Sequence, residues 1–392
     1  MSAHSSENGD KSGVPQHASS PLPGGAAKKW RAGVLGATGL VGQRLVKLLS
    51  THPWFELTEV AASERSSGKS YAEAVRWHLD GPIPEAARNL VVKSLDPSLD
   101  CDFVFSALDS SVAGDAEEDF ASAGYPVVSN SKNHRMDPDV PLLIPEVNAA
   151  HLDAIPTQQK NRGFDTGFIV TNPNCSTAGL VLVLKPLADA FGLEKVFAVT
   201  LQAVSGAGYP GVASMDIHAN VIPFISGEEE KMESEPQKLL GKWDGARFID
   251  AGLGLSAHCN RVPVLEGHLE CVSISLKKIA CLKEVREALR NFEVDAELAS
   301  LPSAVRHPVH VIDGDDRPQP RRDVHAGNGM AAVVGRLREC PLLDIKLTLL
   351  SHNLVRGAAG AALLNAELLA ARGLLNHRVR EDESQLTQPL AP

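Results

Sequence analysis

The stretch that most restricts what this chain can fold into lies near its start. Arg31-Ala32-Gly33-Val34-Leu35 reads as a short strand, and Gly36-Ala37-Thr38-Gly39-Leu40-Val41-Gly42 follows at once. Val41, Leu45, Leu48 and Leu49 then recur at helical spacing until Thr51-His52-Pro53 ends the pattern. Strand, glycine turn and helix in that order are the setting of a dinucleotide fingerprint. The glycines let backbone come close to a pyrophosphate, and the helix N-terminus favours its charge. The spacing is G-x-x-G-x-x-G rather than the commoner G-x-G-x-x-G, and an ordinary tight turn would need no ligand. Gly36, Thr38, Gly39, Leu40 and Val41 are the candidate contacts here.

A second strand is expected over Leu57 to Ala62. An acid at its end would hold a ribose 2′-hydroxyl, but the chain continues as Ser63-Glu64-Arg65-Ser66-Ser67-Gly68-Lys69. Hydroxyls and cations suit a 2′-phosphate, so NADP(H) is the expected cofactor, with Ser63, Arg65 and Ser66 as contacts; Glu64 points the other way, and a solvated polar loop is the ordinary alternative. Cys101 to Ala107 and Pro126 to Ser131 read as further strands, with a helix around Glu117 to Ala123 between them. The second of these opens onto Lys132-Asn133-His134-Arg135, a basic cluster at the strand end where ligands of open α/β sheets bind. Arg135 can clamp a phosphate with two parallel hydrogen bonds, although a lone arginine is more often a surface charge. This alternation argues a doubly wound parallel sheet.

Gly167-Phe168-Ile169-Val170 then leads into Thr171-Asn172-Pro173-Asn174-Cys175-Ser176-Thr177. Pro173 disfavours helix before it and Asn174 is a good N-cap, so a helix is expected to start at Cys175. A thiol there meets free amides and the positive end of the helix dipole, which favour the reactive thiolate. A small buried packing residue is the ordinary alternative.

Beyond it the pattern changes to long β-type runs over Val196 to Val204, Cys271 to Ile279, Met330 to Arg338 and Leu342 to Leu350, which suggest a second domain with a larger mixed or antiparallel sheet. Ser205 to Gly211 reads as a mobile loop, and Glu228-Glu229-Glu230-Lys231 as a solvated helix start. Arg261-Val262-Pro263 and Gly267-His268 bracket a short apolar stretch, with His268 a possible acid/base and Arg261 a possible carboxylate clamp. An alanine- and leucine-rich run after Ser351-His352-Asn353 reads as a final helix.

The 392 residues suffice for two domains, and 43% hydrophobic with 22% charged residues is an ordinary globular composition. A net charge of −10 argues against a general nucleic-acid binder. The six cysteines are scattered, with neither metal-ligand spacing nor a disulfide framework. No apolar run reaches the roughly 18–20 residues that span a bilayer. Residues 1–28 and 378–392 are polar tails, the first expected to be disordered and unlike a transit or secretion signal, so a cytoplasmic protein is expected.

Taken together, from Trp30 to Leu375, these motifs resemble aspartate-semialdehyde dehydrogenase, in particular its fungal and archaeal branch. The resemblance rests on Gly36 to Gly42, Asn130 to Arg135, Asn172 to Thr177, Arg261-Val262-Pro263 with Gly267-His268, and Asn353 to Glu367, all in the family's order. It implies a Rossmann-type domain over 29–172 and 352–377, and an α+β catalytic and oligomerisation domain with a large mixed sheet over 173–351. It implies NADPH-dependent reductive dephosphorylation of L-aspartyl 4-phosphate to L-aspartate 4-semialdehyde, in the biosynthesis of lysine, methionine, threonine and isoleucine. Cys175 would be the nucleophile, His268 the acid/base catalyst, and Gln202 would orient the substrate. Arg261 would hold the α-carboxylate and Glu228, or in another register Glu229, the ammonium. Lys231 and Arg135 would surround the phosphate, beside Asn174. Asn353 would meet the nicotinamide, with Ser106 and Gly206 as further cofactor contacts. Inorganic phosphate and a small-molecule substrate are the implied partners, and a homodimer or homotetramer the implied assembly. Malonyl-CoA reductase is similar in scaffold, N-acetyl-glutamyl-phosphate reductase differs around the cysteine, and a non-catalytic nucleotide-binding regulator would have no use for Cys175, His268 and Arg261 together.

Overall fold

The computed structural model describes residues 21–23 and 26–378. Most of the expected tail 1–28, and all of the tail 378–392 but its first residue, lie outside the described residues.

Six strands form a parallel sheet: β1 (Trp30–Leu35), β2 (Phe55–Ala61), β3 (Val92–Lys93), β4 (Phe103–Ser106), β5 (Pro126–Ser129) and β6 (Phe168–Thr171). Their order is β3-β2-β1-β4-β5-β6, the doubly wound arrangement whose order reverses beside β1. Every residue of β1 is buried, as a central parallel strand with both faces covered requires. Helix α1 (Leu40–Leu49) follows the glycine turn. Gly36 has φ +75°, and a Cβ there would lie 2.5 Å from the Ala107 carbonyl oxygen at the end of β4. At Gly42 a Cβ would lie 2.2 Å from the Gly36 oxygen, so helix and turn close against each other only without side chains. The helix α2 (Ser110–Ser122) begins a turn or more earlier than sequence periodicity suggests, because Asp109 caps it through the Ser111 amide.

The second sheet is mixed. Its strands are β7 (Leu193–Gln202), β10 (Gly254–Arg261), β11 (His268–Leu276), β12 (Val309–Val311), β13 (Ala332–Glu339) and β14 (Ile345–Ser351), in the order β10-β7-β11-β14-β13-β12. A small hairpin, β8 (Lys242–Trp243) with β9 (Phe248–Ile249), stands apart. The second long run begins at His268 rather than Cys271, which makes His268 the first residue of β11. Helix α3 (Cys175–Phe191) covers this sheet, its Leu180 to Leu184 all buried against Ala198, Val272 and Leu349. Helix α4 (Glu228–Leu239) lies beside it. The acidic run is therefore a helix start as expected, but Glu228 faces inward instead of solvent.

Near the end, a single π-turn over Val355–Ala359 precedes α5 (Gly360–Ala371). Leu363, Leu364 and Leu368 join the core of the parallel sheet with Val34 and Phe105. Val294, Leu298 and Leu301 join that same core, so a segment from the middle of the chain also packs on the first domain.

Candidate active site

The register of the second sheet brings one end of three strands together. Arg261 pairs with Gln202 across parallel strands β10 and β7, and antiparallel β11 starts at the same edge with His268. The end of β6 enters this edge through Asn172-Pro173, and α3 starts there at Cys175. Asn174 caps the helix by accepting from the amides of Ser176 (3.0 Å) and Thr177 (3.3 Å).

The Cys175 sulfur lies 3.2 Å from Nε2 of His268. The amide of Ala203 donates to the ring's Nδ1 at 3.1 Å, so the neutral imidazole carries its proton on Nε2, directed at the sulfur. Arg261 donates to the Ala203 carbonyl at 2.7 Å. Gly206 closes over this pair: a Cβ on it would stand 2.8 Å from the Arg261 guanidinium and 3.1 Å from the His268 ring. Behind the thiol, a Cβ at Gly357 would come within 2.6 Å of the Cys175 Cβ. The segment Ser205 to Gly211, read from sequence as a loop, starts as a 3₁₀ turn over Val204–Ala207.

On the other side stands Glu228. It accepts from Asn174 Nδ2 at 3.0 and 2.9 Å and from Gln202 Nε2 at 3.2 Å, and it pairs with Lys231 one helical turn on. Glu229 points elsewhere and accepts the Cys259 amide at 3.0 Å, so the register falls on Glu228. Arg135 is not a free clamp. Its guanidinium pairs with Glu235 at 2.9 Å and donates to the Asn130 carbonyl at 2.8 Å, leaving Nε unpartnered. Glu235 also accepts the Asn174 amide at 2.6 Å. Sequence reading missed Glu235, although Glu228, Lys231 and Glu235 fall at i, i+3 and i+7 on one helix face.

Burial dominates the electrostatics. It pushes the Cys175 thiol up to about 12, with Glu228 adding to the rise and Lys231, Arg135 and Arg261 opposing it. It pushes His268 down to about 3, helped by the Arg261 cation. Burial would raise Glu228, yet Lys231, Asn174 and Gln202 hold it below the ordinary value and ionised. Burial likewise depresses Arg261. At these values thiol and imidazole are both neutral at pH 7.

The glycine turn forms a separate cradle at the edge of the first sheet. No side chain caps the first turn of α1, because its N-cap is Gly39, and the nearest atom to a Cβ there is 3.5 Å away. Free amides beside open space fit a pyrophosphate. Ser63 and Arg65 are exposed and Ser66 half-buried in the turn after β2, joined to the cradle through the Gly36 amide on Ala61 (2.8 Å). Ser106 is wholly buried at the end of β4, beneath that edge. Asn353 accepts the Gly267 amide (2.9 Å) and donates to Ser205 (2.9 Å), so it ties both loops that hold His268. The structure thus gathers Cys175, His268, Gln202, Asn174, Glu228, Lys231, Arg261 and Gly206, with Arg135 and Asn353 linked through one intermediate each. Ser63, Arg65 and Ser66 lie apart from these, in the turn after β2.

Comparisons with known proteins agree in both halves. A family described as "Semialdehyde dehydrogenase, NAD binding domain" matches residues 31–155, and one described as "Semialdehyde dehydrogenase, dimerisation domain" matches residues 184–356. Aspartate-semialdehyde dehydrogenase of Archaeoglobus fulgidus is 50% identical over 342 residues, covering 87% of this chain and 98% of the relative. That of Trichophyton rubrum is 49% identical over 357 residues, covering 88% and 99%. The crystal structure of aspartate semialdehyde dehydrogenase with NADP from Candida albicans superposes with a TM-score of 0.81 at 45% identity, covering 89% of this chain and all of that one.

Proposed function

The chain belongs to the aspartate-semialdehyde dehydrogenase family, and from that membership we propose how its residues carry the NADPH-dependent reductive dephosphorylation of L-aspartyl 4-phosphate to L-aspartate 4-semialdehyde. One observation carries the proposal: a cysteine at a helix N-terminus, 3.2 Å from a buried histidine and ringed by Glu228, Lys231, Arg261 and Arg135.

Arg261 holds the substrate α-carboxylate and Glu228 its ammonium, with Gln202 and Asn174 fixing the Glu228 carboxylate. Lys231 meets the phosphate, and Arg135, paired with Glu235 and the Asn130 carbonyl, adds its charge from behind. Binding changes the chemistry of the site. An ammonium on Glu228 cancels the nearby charge that opposes a Cys175 thiolate most. A carboxylate on Arg261 cancels the cation that holds the His268 proton affinity down. The sulfur then attacks the acyl carbon. A carbon–sulfur bond forms, the carbon–oxygen bond to phosphate breaks, and the thiol proton leaves with the departing group as hydrogen phosphate. NADPH, when bound, supplies the hydride that reduces the thioester. Gly36, Thr38, Gly39, Leu40 and Val41 would hold its pyrophosphate, Ser63, Arg65 and Ser66 its 2′-phosphate, and Asn353 and Gly206 its nicotinamide end, with Ser106 supporting the cradle from below. His268 keeps its Nε2 proton on the sulfur, which stabilises the thiolate as the aldehyde is released. Glu228 beside Arg261 suits an amino-acid substrate, and nothing in the site favours malonyl-CoA instead.

The nucleotide domain comprises 29–172 and 352–377 in this reading, and 173–351 forms the catalytic and oligomerisation domain. The match to a dimerisation domain makes the protein an oligomer, which we take as a homodimer or homotetramer. No helix among the described residues is long and apolar enough to cross a membrane, and the reading is of a cytoplasmic enzyme. The deciding assay runs in reverse. Aspartate semialdehyde should support phosphate-dependent reduction of NADP, and Cys175→Ala should abolish it. Turnover confined to malonyl-CoA would overturn the substrate assignment.

A further inference from the structure

The His268-bearing turn is fastened to the nucleotide domain by residues with no part in the chemistry above. Arg44, on α1, reaches across and pairs with Glu266 at 2.7 Å. The other Glu266 oxygen lies 3.3 Å from Nε2 of His352, at the end of β14. Both partners of the Arg44–Glu266 pair are largely withdrawn from water, with side-chain exposures of 20% and 24%, so the pair is screened less than a surface one. His352 is itself buried, its ring edge-on to His325 at 5.6 Å between centroids.

From Glu266 the connection to the reacting atoms is two residues long. Gly267 donates its amide to Asn353, and His268 follows. Asn353 holds Ser205, while Ala203 in the same turn donates to the His268 ring. Glu266, Gly267, His268, Ala203, Ser205 and Asn353 thus make a closed circuit, and among the described residues its one charged tether to the nucleotide helix is the contact with Arg44.

We propose that Glu266 is a positioning residue: through Arg44 it fixes the His268 turn to the helix that opens the nucleotide cradle, and so sets the hydride donor and the Cys175-bound acyl group in register. The inference rests on the reading of Cys175 as the acyl carrier and of the glycine turn as the nucleotide cradle. In that reading Glu266 is given no contact with substrate or cofactor; its partners are Arg44 and His352. Its effect is on the alignment of two domains, where small displacements are costly.

The test uses the full-length enzyme in the biosynthetic direction with NADPH and NADPH deuterated at the transferred position. Glu266→Gln, which keeps shape and loses charge, should lower kcat about tenfold and raise the isotope effect on kcat, as expected when a misaligned hydride step becomes slower. The KM for NADPH, and its directly measured binding, should stay within about twofold. Arg44→Met should do the same, and the double variant should be no worse than either single one, because both remove one link. Glu266→Asp should recover part of the rate. An unchanged isotope effect and kcat in Glu266→Gln would overturn the proposal. So would losses that multiply in the double variant, or weakened NADPH binding, which would put the residue in the nucleotide site. Turnover by Cys175→Ala would instead fail the underlying reading, whatever Glu266 does.

Discussion

The nucleotide cradle and the thiol site are built by opposite means. The cradle is backbone: seven consecutive residues, Gly36 to Gly42, from the end of β1 into the first turn of α1, with glycines where a Cβ would strike Ala107 or Gly36, and free amides at the helix start. The thiol site is side chain. Cys175, Gln202, Glu228, Glu235, Arg261 and His268 come from five different strands and helices and are held by hydrogen bonds to one another or to Asn174, Arg135 and Ala203 between them. A backbone site is specified locally and tolerates change outside its motif. A side-chain site spread over remote segments is specified by the fold, and each member alters the charge of the others.

That contrast can be broken at its strongest point. His268→Asn should lower kcat by about 10²–10⁴-fold, the range for losing a proton-holding group, while NADP binding at the cradle stays unchanged. Loss of both would mean the two sites are one cooperative unit. The next effect belongs to the cradle. Arg65→Ala should raise the KM for NADPH about tenfold with little effect on NADH, since one charge-assisted phosphate contact is lost. Equal effects on the two nucleotides would take the 2′-phosphate away from the turn after β2.

Smaller in rate but sharper in meaning is Glu228→Gln. It should lower kcat/KM for the amino-acid substrate, yet speed alkylation of Cys175 by iodoacetamide several-fold at pH 8. The carboxylate helps push the free thiol up to about 12, and its removal releases more thiolate. Slower alkylation would show that Glu228 does not govern the thiol. The smallest effect concerns Glu270, two residues beyond His268, wholly buried with both oxygens unpartnered. Burial raises its pKa well above the carboxylate range. A group with a raised folded-state pKa stabilises below its unfolded value, about 4.3, and that contribution is lost as pH rises. Glu270→Gln should therefore leave the melting temperature nearly unchanged near pH 4 and raise it by a few degrees at pH 8.

How much of this was legible follows the same division. The doubly wound sheet, the cradle, the Asn174 cap and the helix start at Cys175 could all be read from residues adjacent in sequence. The Glu228 register was ambiguous because three glutamates are equivalent until the helix is packed; then one meets Asn174 and the next meets Cys259. Arg135 was legible as a cation but not as half of an ion pair, since Glu235 lies 100 residues away. Gly357 and Ala203 left no chemical signature, and Gly206 was named only through the family resemblance. Their roles are a missing side chain and an amide direction, which exist only once the chain is folded.

The two glycines around Cys175 have a consequence for anyone wishing to block this protein. Gly357 stands against the cysteine's own backbone and Gly206 against His268 and Arg261, so both walls are built to the clearance of a hydrogen atom. The surroundings of the sulfur are therefore crowded on the Gly357 and Gly206 sides. Slender, linear electrophiles should alkylate Cys175 faster than ones branched at the reactive carbon, which would crowd Gly206 in the Val204–Ala207 turn. Selectivity among covalent ligands is thus written in the width of the approach more than in the reactivity of the thiol.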